Sequence, residues 1–184
     1  MCPCRVLPIG ARGVRCVGDP SRYRALRSDR PPQSVSPPSP TGVPTFLTRR
    51  VTFAAAHRYR RPEWDEATNQ RVFGPCAHPS YHGHSYSCEV TVRGDVDPLT
   101  GFVVDLGELD EVLATEVRGR FDHRNLNVDV PEFHDGRLVP SGENLARHIH
   151  DRVAGALSAR GSRALVIRVT VAEDDTLRAT YEPD

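Results

Sequence analysis

The residues of this chain best suited to chemistry are His57, Cys76, His82 and His84. His82 and His84 end the segment Cys76-Ala-His-Pro-Ser-Tyr-His-Gly-His84, and on a strand two such side chains leave from one face. His57 closes the alternating run Val51, Phe53, Ala55, His57 and shares its apolar face. Imidazoles at the ends of two apolar strand faces can converge on one ion. Three neutral nitrogens with a fourth position open form the catalytic kind of zinc site rather than the closed structural kind. Nickel, copper and iron accept the same ligands. A lone His-x-His pair in a glycine-containing turn is satisfied equally well by water, so it is the third histidine that favours metal. His78 lies in the same loop and competes as a ligand.

Cys76 stands in a loop, Gly74-Pro75-Cys76, close in sequence to these histidines. A free cysteine is often a small buried hydrophobe. Near a cation its thiol ionises more easily, and the thiolate is the reactive form. Cys88 lies on an apolar strand face and takes the buried reading. Asp122 and His123 are adjacent in a loop, as a turn cap or as an acid–base pair in which Asp122 sets the charge or tautomer of His123. Glu173 breaks a pattern: Leu165, Ile167, Val169 and Val171 define an apolar face that position 173 continues with a carboxylate. A charge on the core side is costly unless paired. It therefore either reaches water at the rim of the sheet or meets the donors of a ligand.

The elements that must position these groups follow from periodicity. Val51 to His57 alternates as a strand. His84, Tyr86, Cys88, Val90 and Val92 alternate against Ser85, Ser87, Glu89, Thr91 and Arg93, a half-buried strand with one polar face. Asp97 to Gly101 is a turn. Asp105 caps a helix, with Glu108 completing a capping box and Leu106, Leu109, Leu113 and Val117 as its buried stripe. Ser141 caps a second helix with the stripe Leu145, Ile149, Val153 and Leu157. Leu165 to Val171 is a third strand and Leu177 to Tyr181 a fourth, with Asp174 and Asp175 in the turn. The order ββααββ predicts an α+β fold, one antiparallel sheet with two helices on one face.

Composition narrows the class. The chain of 184 residues is long enough for one domain with a core. Its formal net charge of zero gives no support for nucleic-acid or anionic-membrane binding. All 24 basic residues are arginine. Five cysteines are an odd set, which suits a reducing cytoplasm better than a disulfide framework. No apolar run approaches the ~20 residues of a membrane span. Residues 1–44 hold nine of the 16 prolines, seven arginines and two acids. Such a segment cannot offset its ordering entropy, so a disordered extension is expected there and a folded domain over residues 45–184.

From about Phe46 onward the chain resembles the 6-pyruvoyl tetrahydropterin synthase family, which includes 6-carboxytetrahydropterin synthase. The pieces that carry the likeness are Phe53-Ala-Ala-Ala-His57, Phe73-Gly-Pro-Cys76, His82-Gly-His84, Asp122-His-Arg-Asn-Leu126, Ser141-Gly-Glu-Asn-Leu145 and Val171-Ala-Glu173, in family order. The resemblance implies a tunnelling fold, with zinc held by His57, His82 and His84. It implies Cys76 as catalytic base, Asp122 and His123 as a proton relay, Glu173 as anchor of the pterin ring, and Ser141 and Glu143 in the pterin pocket. It also implies a homohexamer, a dimer of trimers, with active sites between subunits. The implied reaction is elimination of triphosphate from 7,8-dihydroneopterin triphosphate to give 6-pyruvoyl-tetrahydropterin. The alternative is 6-carboxy-5,6,7,8-tetrahydropterin synthesis for queuosine and deazapurines. A non-catalytic pterin- or metal-binding module is a third reading, against which Cys76 and the Asp122–His123 pair speak. Five residues separate Cys76 from His82, the spacing of pyruvoyl-type members, where the carboxy type more often has three. Position 142 is glycine where the family commonly has threonine.

Overall fold

A computed structural model describes residues 43–184. The proline- and arginine-rich extension expected at the start falls, but for Val43 and Pro44, outside the described residues. The elements in chain order are β1 (Thr45–His57), α1 (Glu66–Phe73), β2 (His82–Gly94), α2 (Leu106–Leu113), α3 (Gly119–Phe121), β3 (Arg124–Asn125), α4 (Leu126–Asp129), α5 (Gly142–Ala159), β4 (Leu165–Ala172) and β5 (Arg178–Tyr181). One π turn, Ala114–Arg118, joins α2 to α3.

The sheet runs β3-β1-β2-β4-β5. Its four long members pair antiparallel, as the alternation predicts. The two-residue β3 is an addition, parallel to β1 at Ala55 and Ala56. One face of the sheet, built from Phe53, Ala55, Tyr86, Cys88, Val90, Val92, Val169 and Val171, is buried against α2 and α5. Leu109, Leu113 and Val117 reach this core from the first helical stretch, and Leu145, Ile149, Val153 and Leu157 from α5. Both predicted caps form: Asp105 Oδ1 accepts from Glu108 N at 2.9 Å, and Ser141 Oγ accepts from Asn144 N at 3.4 Å.

Two details depart from the periodic reading. Leu106, expected in the buried stripe, is exposed, because it occupies the first position of α2, at the edge of the helix–sheet contact. In β4 the apolar face does not start at Leu165, which is exposed; Val166 is the buried residue. A bulge is the cause. Val92 pairs with Val166 and Thr91 with Arg168, so Ile167 is the extra residue. Beyond the bulge Val169, Val171 and Glu173 all point inward, and the carboxylate arrives on the core side at 5% exposure.

Candidate active site

The β1–β2 register builds the cluster. His57 lies directly opposite His82, and Ala55 opposite His84, so the three imidazoles share the covered face at one end of the sheet. One ligand nitrogen from each lies within 4.8 Å of the others. His57 is fully buried, and its Nδ1 lies 3.0 Å from the Pro140 carbonyl oxygen. A carbonyl can only accept, so Nδ1 carries the hydrogen and Nε2 keeps its lone pair. Tyr86 Oη, 3.1 Å from the same Nδ1, is then a second acceptor. Burial lowers the pKa of His57 to about 4, assisted by His82 and His84 and opposed by the Pro140 hydrogen bond. Burial also lowers that of His82, with His84 assisting and Glu173 opposing. His84 Nε2 is buried with no hydrogen-bond partner among the described residues and lies 3.7 Å from Glu173 Oε2. Two imidazoles whose charged forms burial disfavours, an orphaned nitrogen on the third, and an Nδ1 of His57 anchored on a carbonyl fit a zinc ion. His78 is outside this cluster; it is exposed, and its Nδ1 accepts from Ser80 N at 3.2 Å.

A cavity of about 350 Å³ adjoins the cluster through Glu173, within the range of small-ligand sites. Ser141, Glu143 and Glu173, far apart in sequence, all line it, with Tyr59 and Phe73. Ser141 and Glu143 come from the N-terminal turn of α5, whose preceding residue, Pro140, anchors His57. One turn of chain therefore serves both the histidine cluster and the cavity. Gly142 keeps the wall thin, since a Cβ there would lie 4.0 Å from Glu173 Oε1.

Cys76 occupies a one-turn 3-10 helix, Gly74–Ala77, and is a half-buried free thiol. Burial raises its pKa, and the charge of Glu173 adds to the effect. Without a cation, then, its surroundings oppose ionisation. Cys88 takes the buried role expected of it, its thiol pushed up to about 12 by burial and Glu89.

Asp122 and His123 lie elsewhere. Asp122 Oδ1 accepts from Ala54 N at 2.8 Å, and His123 N donates to Ala54 O at 2.6 Å. These bonds hold the pair against β1 just before β3. Asp122 Oδ2 is 4.0 Å from His123 Nε2, and the His123 side chain is 86% exposed. No hydrogen bond among the described residues joins the pair to Cys76.

Sequence reasoning missed Tyr59, whose hydroxyl donates to Glu173 Oε1 at 3.0 Å. The available signal was only its place two residues after His57. It also missed Asn127 and Asn69, buried amides that grip the backbone at Arg58 and Arg61.

Comparison with known proteins places this geometry. The family model described as 6-pyruvoyl tetrahydropterin synthase matches residues 46–184. The chain belongs to that family. It is 46% identical over 108 residues to the 6-pyruvoyl tetrahydrobiopterin synthase of Drosophila melanogaster, covering 59% of this chain and 63% of that one. With the Homo sapiens enzyme of the same name the identity is 35% over 136 residues, covering 74% and 90%. A weaker match, 32% over 103 residues, covers 55% of this chain and 68% of the 6-carboxy-5,6,7,8-tetrahydropterin synthase of Bacillus subtilis. The solved structure of 6-pyruvoyl tetrahydropterin synthase from Caenorhabditis elegans superposes with a TM-score of 0.70 at 31% identity, covering 77% of this chain and 97% of that one. The α+β fold with its covered sheet is thus the fold of the family. No helix among the described residues is long and apolar enough to cross a membrane.

Proposed function

We propose that this chain is a zinc-dependent lyase that eliminates triphosphate from 7,8-dihydroneopterin triphosphate to give 6-pyruvoyl-tetrahydropterin. The observation that carries the reading is the 3.7 Å approach of Glu173 Oε2 to His84 Nε2. It joins a carboxylate suited to a pterin's ring donors to the three-histidine cluster, so a ring in the cavity would carry its side chain toward the histidines.

His57, His82 and His84 would hold zinc, whose chemistry when bound is Lewis-acid polarisation of the substrate's side-chain oxygens. Glu173 would accept two hydrogen bonds from adjacent ring N–H groups, a charge-assisted pairing. Ser141 and Glu143 would line the ring's remaining edge. Cys76, as thiolate, would take a proton from a side-chain carbon. Asp122 and His123 would return protons. Because His123 is exposed and the pair is anchored away from Cys76, a neighbouring protomer would supply it, in keeping with a homohexamer whose active sites lie between subunits. The ring is reduced as the side chain is oxidised, so no external nicotinamide is required. A reducing cytoplasm suits the free Cys76 thiol.

Incubation with 7,8-dihydroneopterin triphosphate followed by mass spectrometry tests the reading. Release of triphosphate with 6-pyruvoyl-tetrahydropterin is expected. A 6-carboxytetrahydropterin product would move the chain to the second activity, which the Bacillus subtilis match keeps in view but the Cys76–His82 spacing disfavours. Intact substrate would leave a binding module.

A further inference from the structure

Tyr59 lies outside every motif that carries the family likeness, yet it touches four parts of the site. Its hydroxyl donates to Glu173 Oε1 at 3.0 Å, and its backbone N–H donates to Cys76 O at 2.7 Å. Its ring packs edge-on against His57, with centroids 4.9 Å apart, and against Phe73 at 5.8 Å. The chain that carries it is held on both sides of the tyrosine. Asn127 Oδ1 accepts from Arg58 N at 2.9 Å, while its Nδ2 donates to Arg58 O at 3.1 Å. Asn69 repeats the clamp at Arg61, at 2.8 and 3.0 Å. Both amides are buried, so little of this arrangement is left to solvent.

Glu173 needs such a partner. The last torsion of a glutamate side chain is broad. Recognition of two adjacent ring donors requires the carboxylate plane to coincide with the ring plane. Among the described residues, Tyr59 provides the one hydrogen bond to the Glu173 side chain, with His84 Nε2 more distant at 3.7 Å. Each carboxylate oxygen has two acceptor sites, so Oε1 can accept from the phenol and still accept from a ligand.

We propose that Tyr59 is a positioning residue for pterin recognition, its hydroxyl fixing the Glu173 carboxylate so that both oxygens face a pair of adjacent ring donors. The inference rests on assigning the cavity to the pterin ring. It makes Tyr59 a determinant of ligand choice: with the carboxylate plane fixed, a ring bearing a 2-amino group beside N3–H is favoured over one bearing a 2-carbonyl.

Calorimetric titration of the zinc-loaded protein with pterin and with lumazine, in which a carbonyl replaces the 2-amino group, tests this in wild type, Tyr59→Phe and Glu173→Gln. Phenylalanine keeps the ring packing and removes only the hydroxyl. Loss of one hydrogen bond to a charged group predicts pterin binding about tenfold weaker in Tyr59→Phe, with lumazine much less affected and the preference between them reduced. Unchanged pterin affinity in Tyr59→Phe beside a clear loss in Glu173→Gln overturns the proposal and leaves the cavity assignment standing. An equal loss for both ligands in Tyr59→Phe also overturns it, because it reports general loosening. Unchanged affinity in Glu173→Gln removes the cavity assignment itself, and the role of Tyr59 with it.

Discussion

The Nε2 atoms of His57 and His82 face one another at 3.1 Å, and the hydrogen that His57 gives to Pro140 from Nδ1 leaves its own Nε2 as a bare lone pair. Two imidazole nitrogens that close need something between them: a proton on His82, or a cation. The orphaned Nε2 of His84 beside them favours the cation, because one ion satisfies all three nitrogens and one proton does not.

We expect about one zinc per chain, following the site stoichiometry of three imidazoles to one ion. His82→Ala should retain the fold and lose most of the metal. Elemental analysis of the two purified proteins decides the matter, and equal zinc in both would remove these histidines as ligands.

The two cysteines of the described chain should behave oppositely. Cys76→Ala should keep zinc and fold and lose ~10²–10⁴-fold of the turnover, the usual contribution of a general base. Cys88 is fully buried on the covered face of β2, so Cys88→Ala should lower the melting temperature and leave the rate nearly intact. Steady-state rates and thermal melts of both variants check this; a dead Cys88→Ala beside an active Cys76→Ala would reverse the assignment.

Much of this arrangement could be read in the sequence, and the exceptions have physical reasons. β1, β2 and α5 announce themselves because each buries a single face, so their apolar residues keep strict period. The convergence of His57, His82 and His84 follows from the same alternation once β1 and β2 are paired. α1 does not show itself in that way: Asn69 is its one buried residue, so no apolar stripe marks it, and the Asp65 cap on Thr68 N is its main local signal. The bulge at Ile167 is a matter of pairing between strands, which one strand's pattern does not contain. Tyr59 escaped for a related reason. Its significance lies in a partner 114 residues away, and nothing local to the polar stretch after β1 points to Glu173.

Acid should destabilise the metal-stripped protein in a defined window. His57 titrates near 6.5 in an unfolded chain and at about 4 in the fold, because burial disfavours its charged form. The folded state therefore binds fewer protons than the unfolded state between these values, and stability rises with pH there. His148, packed against Phe121 and Phe133 with its pKa lowered chiefly by burial, contributes with the same sign. The stabilisation is complete above about pH 6.5 and is lost as the pH falls toward about 4. Thermal melts of the metal-free protein across that range should show a falling midpoint, shallower in His148→Phe than in wild type. A flat profile would mean that these imidazoles are as solvated in the fold as out of it.

Gly142 should resist substitution for a steric reason that can be separated from backbone preference. It is the first residue of α5, and a Cβ there would lie 3.2 Å from the Cβ of Ala179 on β5. Helix propensity alone favours alanine over glycine by roughly 0.5–1 kcal/mol. Overpacking a close contact costs about 1–3 kcal/mol, and neither methyl has a rotamer through which to yield, so the contact should win. Gly142→Ala is expected to melt below wild type. If Ala179 is the obstruction, Ala179→Gly should cost less in the Gly142→Ala chain than in wild type, a coupling that a double-mutant cycle reads directly. A Gly142→Ala protein that melts above wild type, with no coupling to position 179, would show that α5 and β5 separate easily at this point and that glycine is not required to keep the cavity wall thin.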